Sequence, residues 1–91
     1  MGRTSREKPL RLAEKLAHVR KALNLSQGEM VVRLGLESHL TREEISKYER
    51  GLRVPSLPTL LKYAKVAGLV VDELIDDEVE LPEGLPAVRR A

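Results

Sequence analysis

Residues 25–51 read LSQGEMVVRLGLESHLTREEISKYERG, and two hydroxyl side chains divide this stretch into two short helices. Ser26 is followed three positions on by Glu29, and Thr41 by Glu44. That is capping-box spacing: the hydroxyl accepts the N3 amide, and the glutamate accepts the cap residue's own N–H in return. Met30, Val31 and Leu34 then share one side of the first helix, and Ile45 and Tyr48, three apart, share one side of the second. Gly35 ends the first helix and Gly51 the second, both at left-handed positions. A short helix, a turn and a second short helix form a helix-turn-helix pattern, which serves to seat its second helix in a DNA major groove.

Working outward, Leu12, Leu16, Val19 and Leu23 recur at helical spacing, so a first helix is predicted over Leu10–Leu23. Ala13 and Ala17 widen its apolar face, and Arg11, Glu14, Lys15, His18 and Lys21 fall on the polar side. Asn24 is suited to end it in the left-handed region, and Leu25 can staple onto Met30. Beyond Gly51, Ser56 opens a fourth helix with Pro58 in its first turn. Leu57, Leu60, Leu61 and Ala64 are its expected buried face, with Lys62 and Lys65 outward and Gly68 closing it. A fifth helix is predicted over Val71–Ile75, with Asp72 and Glu73 favourably placed near its positive end. The expected architecture is all-α: a compact five-helix bundle containing a helix-turn-helix, with a basic N-terminal arm (1–9) and an acidic C-terminal tail (77–91) around a domain spanning 10–76. Asp76 onward, DDEVELPEGLPAVRRA, reads as a segment that stays mobile or lies extended against a partner, Val79 and Leu81 suiting a short edge strand.

Ninety-one residues allow one domain with a small core. Cysteine, Phe and Trp are absent, so neither disulfides nor a Cys-based zinc site supplements that core, and aliphatic side chains must fill it. No membrane-length apolar run and no signal-peptide pattern occurs, which suits a cytoplasmic, nucleoid-associated protein. The net charge of +2 conceals an asymmetry: residues 1–65 carry a net +7 and residues 66–88 a net −7. A basic body suggests a polyanionic partner. The alternative is a surface whose charges only confer solubility.

Catalysis lacks candidates. The two histidines fall on different elements, and Glu43 and Glu44, being adjacent, diverge on a helix and form no dyad. No glycine-rich phosphate loop or metal-spaced cluster appears, so no metal and no cofactor is expected.

The residues that suit DNA are specific. Arg42 can engage the O6 and N7 edge of guanine, Lys47 can do so as a point donor, and Glu43 can accept from the cytosine N4 amine. Glu44 is assigned to capping. Acids at the leading end of such a helix meet repulsion from phosphates, which implies selective rather than tight binding. Gln27, at the first position of its helix, can join free backbone amides in gripping a phosphate. Gly28, lacking a side chain, permits close approach of another backbone, either a second helix or a phosphate strand. Arg50 and Arg53 can flank one DNA strand, the alternative being solvated surface arginines. Arg3, Arg6 and Lys8 can follow phosphates or a minor groove, or form a solvated terminus. His39 is a loop residue that would make a pH-sensitive phosphate contact if it faces DNA.

LSQGEMVVRLG, LTREEISKYERG and PSLPTLLKYAKVAGLVVDELI together resemble the lambda repressor-like, or XRE, helix-turn-helix family over residues 10–76. The resemblance implies a five-helix domain that binds operator DNA, usually as a dimer. It implies Gln27 as a phosphate anchor, Arg42, Glu43 and Lys47 as residues facing bases, and Ser46 at the edge of that surface, among the backbone contacts. Arg50 and Arg53 match backbone-contacting positions, and Glu49 a structural position holding an arginine. Two departures stand out: Gly28, and four additional residues, Leu36 to His39, before the third helix, which bear on how that helix is posed.

The function expected is sequence-specific double-stranded DNA binding by a transcriptional regulator, a dimeric repressor. Two alternatives stand beside it. One is an antitoxin or phage-type regulator whose tail clasps a protein partner, and the other is a protein-binding adaptor of the same fold without DNA affinity.

Overall fold

Six helices follow one another in the computed structural model, which describes residues 9–89. They are α1 (Leu12–Ala22), α2 (Gln27–Leu34), α3 (Arg42–Glu49), α4 (Leu57–Ala67), α5 (Val71–Ile75) and α6 (Pro86–Arg89). Arg3, Arg6 and Lys8 lie outside the described residues. Hydroxyl caps open α2, α3 and α4. Ser26 and Glu29 form the reciprocal box, with Ser26 Oγ accepting the Glu29 amide at 3.0 Å and the Ser26 amide donating to Glu29 Oε1 at 2.8 Å. Gly35, Gly51 and Gly68 take positive φ after α2, α3 and α4, and Asn24 does the same after α1 at φ 62°.

One core joins these helices. It is built from Leu12, Leu16 and Val19 of α1, Met30 and Leu34 of α2, Ile45 and Tyr48 of α3, Leu60 and Tyr63 of α4, and Leu74 of α5. The longer connector does not disrupt it. Residues 37–39 form their own turn, the amides of His39 and Leu40 both donating to the Leu36 carbonyl, while Leu36 and Leu40 pack against the core at either end. Glu37, Ser38 and His39 remain exposed. No described helix is long and apolar enough to cross a membrane.

The α4 register differs from the expected one. Leu57 and Leu61 are 72% and 45% exposed, and the buried face is Thr59, Leu60, Tyr63, Ala64 and Ala67. Both registers have helical spacing. Tyr63 decides between them, since seating its ring inward turns Leu57 and Leu61 to solvent. Its hydroxyl finds no hydrogen-bond partner among the described residues, and burial pushes the phenol's pKa up.

Lys15 is the second correction. Far from occupying a polar face, it is 2% exposed, and its ammonium donates to the carbonyls of Glu73, Asp76 and Val79 at 2.7–2.9 Å. Three donors meet three acceptors, so the buried cation is fully hydrogen-bonded. The Glu73 carbonyl lies in the last turn of α5, where helical partners run out and a cation is favoured.

That contact belongs to a larger difference, because the expected tail packs on its own bundle. Leu85 is 1% exposed and part of the core. Asp77 accepts the amides of Leu10 and Arg11 at 2.9 Å each, tying this segment to the two residues just before α1, a helix with no side-chain cap of its own. Leu10 and Arg11 lie outside the helix, which begins at Leu12. Glu80 makes a forked pair with Arg11 at 3.0 and 3.1 Å. Short α6 sits over Gly68, where an added Cβ would come within 2.9 Å of the Ala87 nitrogen. No strand forms among the described residues, so Val79 and Leu81 make no edge.

Candidate nucleic-acid interface

Helix α3 has little to hold it locally, being eight residues long and rich in charge, so its pose is set by what it packs against. Ile45 is fully buried and Tyr48 is 6% exposed, which fixes the inward direction. At about 100° per residue, Glu43 and Lys47 then point directly outward. Arg42 and Ser46 lie on one flank and Glu44 on the other. Arg42, Glu43 and Lys47 are exposed, and among the described residues none is held in an ion pair. Ser46 is half-buried and receives Arg50 Nε at 3.1 Å on its hydroxyl and at 3.3 Å on its carbonyl, so Arg50 folds back along α3.

The flank carrying Arg42 is anchored by Glu49. Arg20 of α1 grips that carboxylate with two bonds, Nε to Oε2 at 2.6 Å and Nη2 to Oε1 at 2.9 Å. Its Nη1 also donates to the Leu25 carbonyl, tying the α1–α2 turn to the same guanidinium. Both side chains are largely buried, at 14% and 7% exposure, and the paired carboxylate holds the Arg20 guanidinium further protonated. Gln27 Nε2 donates to Glu49 Oε1 at 3.2 Å. The expected anchor is therefore tethered to the end of α3, at the first position of α2. The first amides of α2 have no intrahelical partner by construction of a helix, so amide and carboxamide groups converge at that corner.

Gly28 does not serve an approach by the described residues, since an added Cβ would meet none of their atoms within 4 Å. That corrects the expectation as far as this chain's own backbone is concerned, and leaves an open surface beside Gln27.

The other flank holds a pair that the sequence did not disclose. Thr41 caps α3 by accepting the Glu44 amide at 3.4 Å, but Glu44 does not complete the box. Its carboxylate instead accepts from Arg53 Nη1 at 3.3 and 3.5 Å. Arg50 and Arg53 are thus held by different residues of α3. His39, Glu44, Tyr48 and Arg53 line one groove of about 610 Å³, which places His39 beside this flank, with Ser38 Oγ 3.2 Å from its Nδ1.

Three comparisons bear on this geometry. A sequence model described as helix-turn-helix matches residues 10–74. Over 65 residues the chain is 35% identical to the cryptic phage CTXphi transcriptional repressor RstR of Vibrio cholerae serotype O1, covering 71% of this chain and 54% of that protein. The chain therefore spans about half the length of the curated relative it matches. Among solved structures, the P22 c2 repressor protein in complex with synthetic operator 9T in the presence of Tl+ superposes with a TM-score of 0.63. That match has 24% identity and covers 72% of this chain and 94% of that one, a likeness of fold.

Proposed function

This chain belongs to the helix-turn-helix family, of the lambda repressor-like (XRE) kind, and on that basis we propose that it is a sequence-specific double-stranded-DNA-binding transcriptional regulator, a repressor acting as a homodimer in the cytoplasm. The observation that carries this is the outward face of α3: Arg42, Glu43 and Lys47 stand exposed on a helix whose opposite side is sealed into the core. A helix presented in that way fits a major groove, and those side chains match guanine and cytosine edges. The relative's name as a transcriptional repressor supports the same role. The fold likeness includes a repressor crystallised with its operator. We assign the protein no catalytic activity.

In this reading Gln27, Ser46, Arg50 and Arg53 face the DNA backbone on the two flanks of α3, with the first amides of α2 at one phosphate. His39 joins them beside Arg53, and Arg3, Arg6 and Lys8 extend the contact. The exposed leucines Leu57 and Leu61, one turn apart on α4, offer apolar surface to a second copy.

Fluorescence-anisotropy titration of the full chain against duplex DNA at several salt concentrations tests the proposal. Affinity should fall steeply with salt. Arg42→Ala should cost about 1–3 kcal/mol on the preferred duplex and relax preference at one base pair, whereas Arg53→Ala should weaken all duplexes evenly. Unchanged preference in Arg42→Ala removes that residue from the base contacts.

Gly28→Ala separates stability from binding at the α2 corner. The added methyl meets nothing among the described residues and favours the helix, so thermal unfolding should show a gain of about 0.5–1 kcal/mol. If a phosphate strand runs across this corner, the same variant should bind DNA more weakly. A stabler protein with unaltered affinity places that strand elsewhere.

A further inference from the structure

Glu44 is an acid on the side of the proposed DNA-binding helix, and its obvious local task, accepting the Thr41 amide, is left undone. Thr41 satisfies the Glu44 amide, and the reciprocal bond that would make Glu44 a capping residue is not formed. Its carboxylate is turned to Arg53, with both oxygens within 3.5 Å of Nη1. The pair lies near the surface, Arg53 being 55% and Glu44 29% exposed along the side chain. An ion pair this open to water is easily exchanged for another anion. A guanidinium carries five N–H donors, and among the described residues this contact occupies those of Nη1 alone, so Nε and Nη2 remain free for a second acceptor.

We propose that Glu44 is a built-in counter-ion for Arg53, lowering the affinity of the protein for every duplex without altering which sequence it prefers. The proposal rests on the DNA-binding reading above. Its physical basis is charge. Whether a phosphate displaces Glu44 from Arg53 or shares the guanidinium with it, the carboxylate stays beside the phosphate strand and offsets one cation. Arg53 then releases less than a full counterion on binding. Glu44 lies on the flank of α3, away from the outward line through Glu43 and Lys47, so it regulates strength and leaves the choice of base to that line.

Glu44→Gln removes the charge, keeps the side chain's shape and leaves the Thr41 cap in place. Arg53 then contributes fully. Log affinity should fall with log salt more steeply, by up to about 0.9, and binding at 0.1 M salt should tighten by up to about eightfold if the 1 M value is unchanged. The experiment compares the full chain, Glu44→Gln, Arg53→Ala and the double variant. Each is titrated by anisotropy against a mixed-sequence duplex and against a duplex recovered by selection, with melting by circular dichroism as the check of fold. The gain should appear equally on both duplexes and vanish when Arg53 is absent.

Three results would overturn the proposal. An equal gain without Arg53 means that Glu44 acts through its own repulsion. Weaker binding by Glu44→Gln means that it holds Arg53 in place for the phosphate. A gain confined to one duplex means that it reads bases. If the unmodified chain shows no salt-dependent retention of either duplex, the DNA-binding reading fails first and this inference fails with it.

Discussion

A chain ending at Asp76 should melt roughly 15–30 °C below the full chain, the equivalent of about 3–5 kcal/mol for a domain of this size. Truncation there removes Leu85, which is 1% exposed and in the core, and with it an apolar contribution of about 2–5 kcal/mol on its own. It also strips Asp77 from the Leu10 and Arg11 amides just before α1 and leaves Lys15, buried at 2% exposure, with two of its three carbonyls. Circular dichroism melting of the truncated chain and of Leu85→Ala measures both, and the single variant should account for most of the loss. An unchanged melting point would mean that residues 77–91 do not hold the bundle.

The same segment makes the effect depend on pH in a defined direction. The amides of Leu10 and Arg11 hold the Asp77 carboxyl below the usual carboxylate range, and the Arg11 guanidinium does the same for Glu80. A carboxylate with a lowered folded pKa contributes fully above its unfolded value of about 4, and the contribution is lost as pH falls through the folded value. The melting difference between the full chain and Asp77→Asn should therefore be steady at neutral pH and shrink below about pH 4.

Glu49→Ala should destabilise the domain by about 3–5 kcal/mol, because it leaves the Arg20 guanidinium largely buried without its carboxylate. The pair joins the end of α1 to the end of α3, and Gln27 is attached to it. Removing both partners with apolar replacements should cost less than the sum of the single changes, because no unpaired charge then remains. Denaturant unfolding of the two single variants and the double variant gives the coupling directly. A Glu49→Ala variant as stable as the parent would show that α3 is seated by Ile45 and Tyr48 alone. DNA binding by the folded fraction of Glu49→Ala should also weaken, since Gln27 loses its tether.

The central stretch was the most legible part of the chain, because its signals are local. The Ser26–Glu29 box, the glycine after each short helix and the inward pair Ile45 and Tyr48 depend on neighbours within one or two turns, and all appear as expected. Glu49 holding an arginine came from the family resemblance, but its partner Arg20 lies twenty-nine residues away on a helix whose polar face offered several cations. Lys15 was misplaced for a related reason. A lysine at a polar position reads as solvated unless something supplies carbonyls to its ammonium, and here the supplier is the segment around residues 73–79. The acidic, proline-containing composition from Asp76 onward suggested a free tail. What holds it is long-range, a carboxylate on distant amides and one buried leucine. The family resemblance ends at residue 76, so family pattern gave no guidance beyond it. On α4 two apolar registers competed, and only the need to bury Tyr63 decided between them.

Glu44 shows the limit of motif reading at the candidate interface. Thr41 and Glu44 have the spacing of a capping box, and half of it forms. The other half is lost because Arg53, nine residues on, returns along α3 and offers the carboxylate a cation in place of an amide. Spacing alone gives no access to that competition, since it depends on where the loop after Gly51 runs.

The most direct measurement is selection of the full chain against random duplex DNA at moderate salt, followed by sequencing of what is retained. A helix α3 that delivers Arg42, Glu43 and Lys47 to a major groove in each of two subunits should enrich a two-fold symmetric site whose half-sites lie about 34 Å apart, one turn of the duplex. Retention without any enriched sequence, or no retention even at low salt, would contradict it.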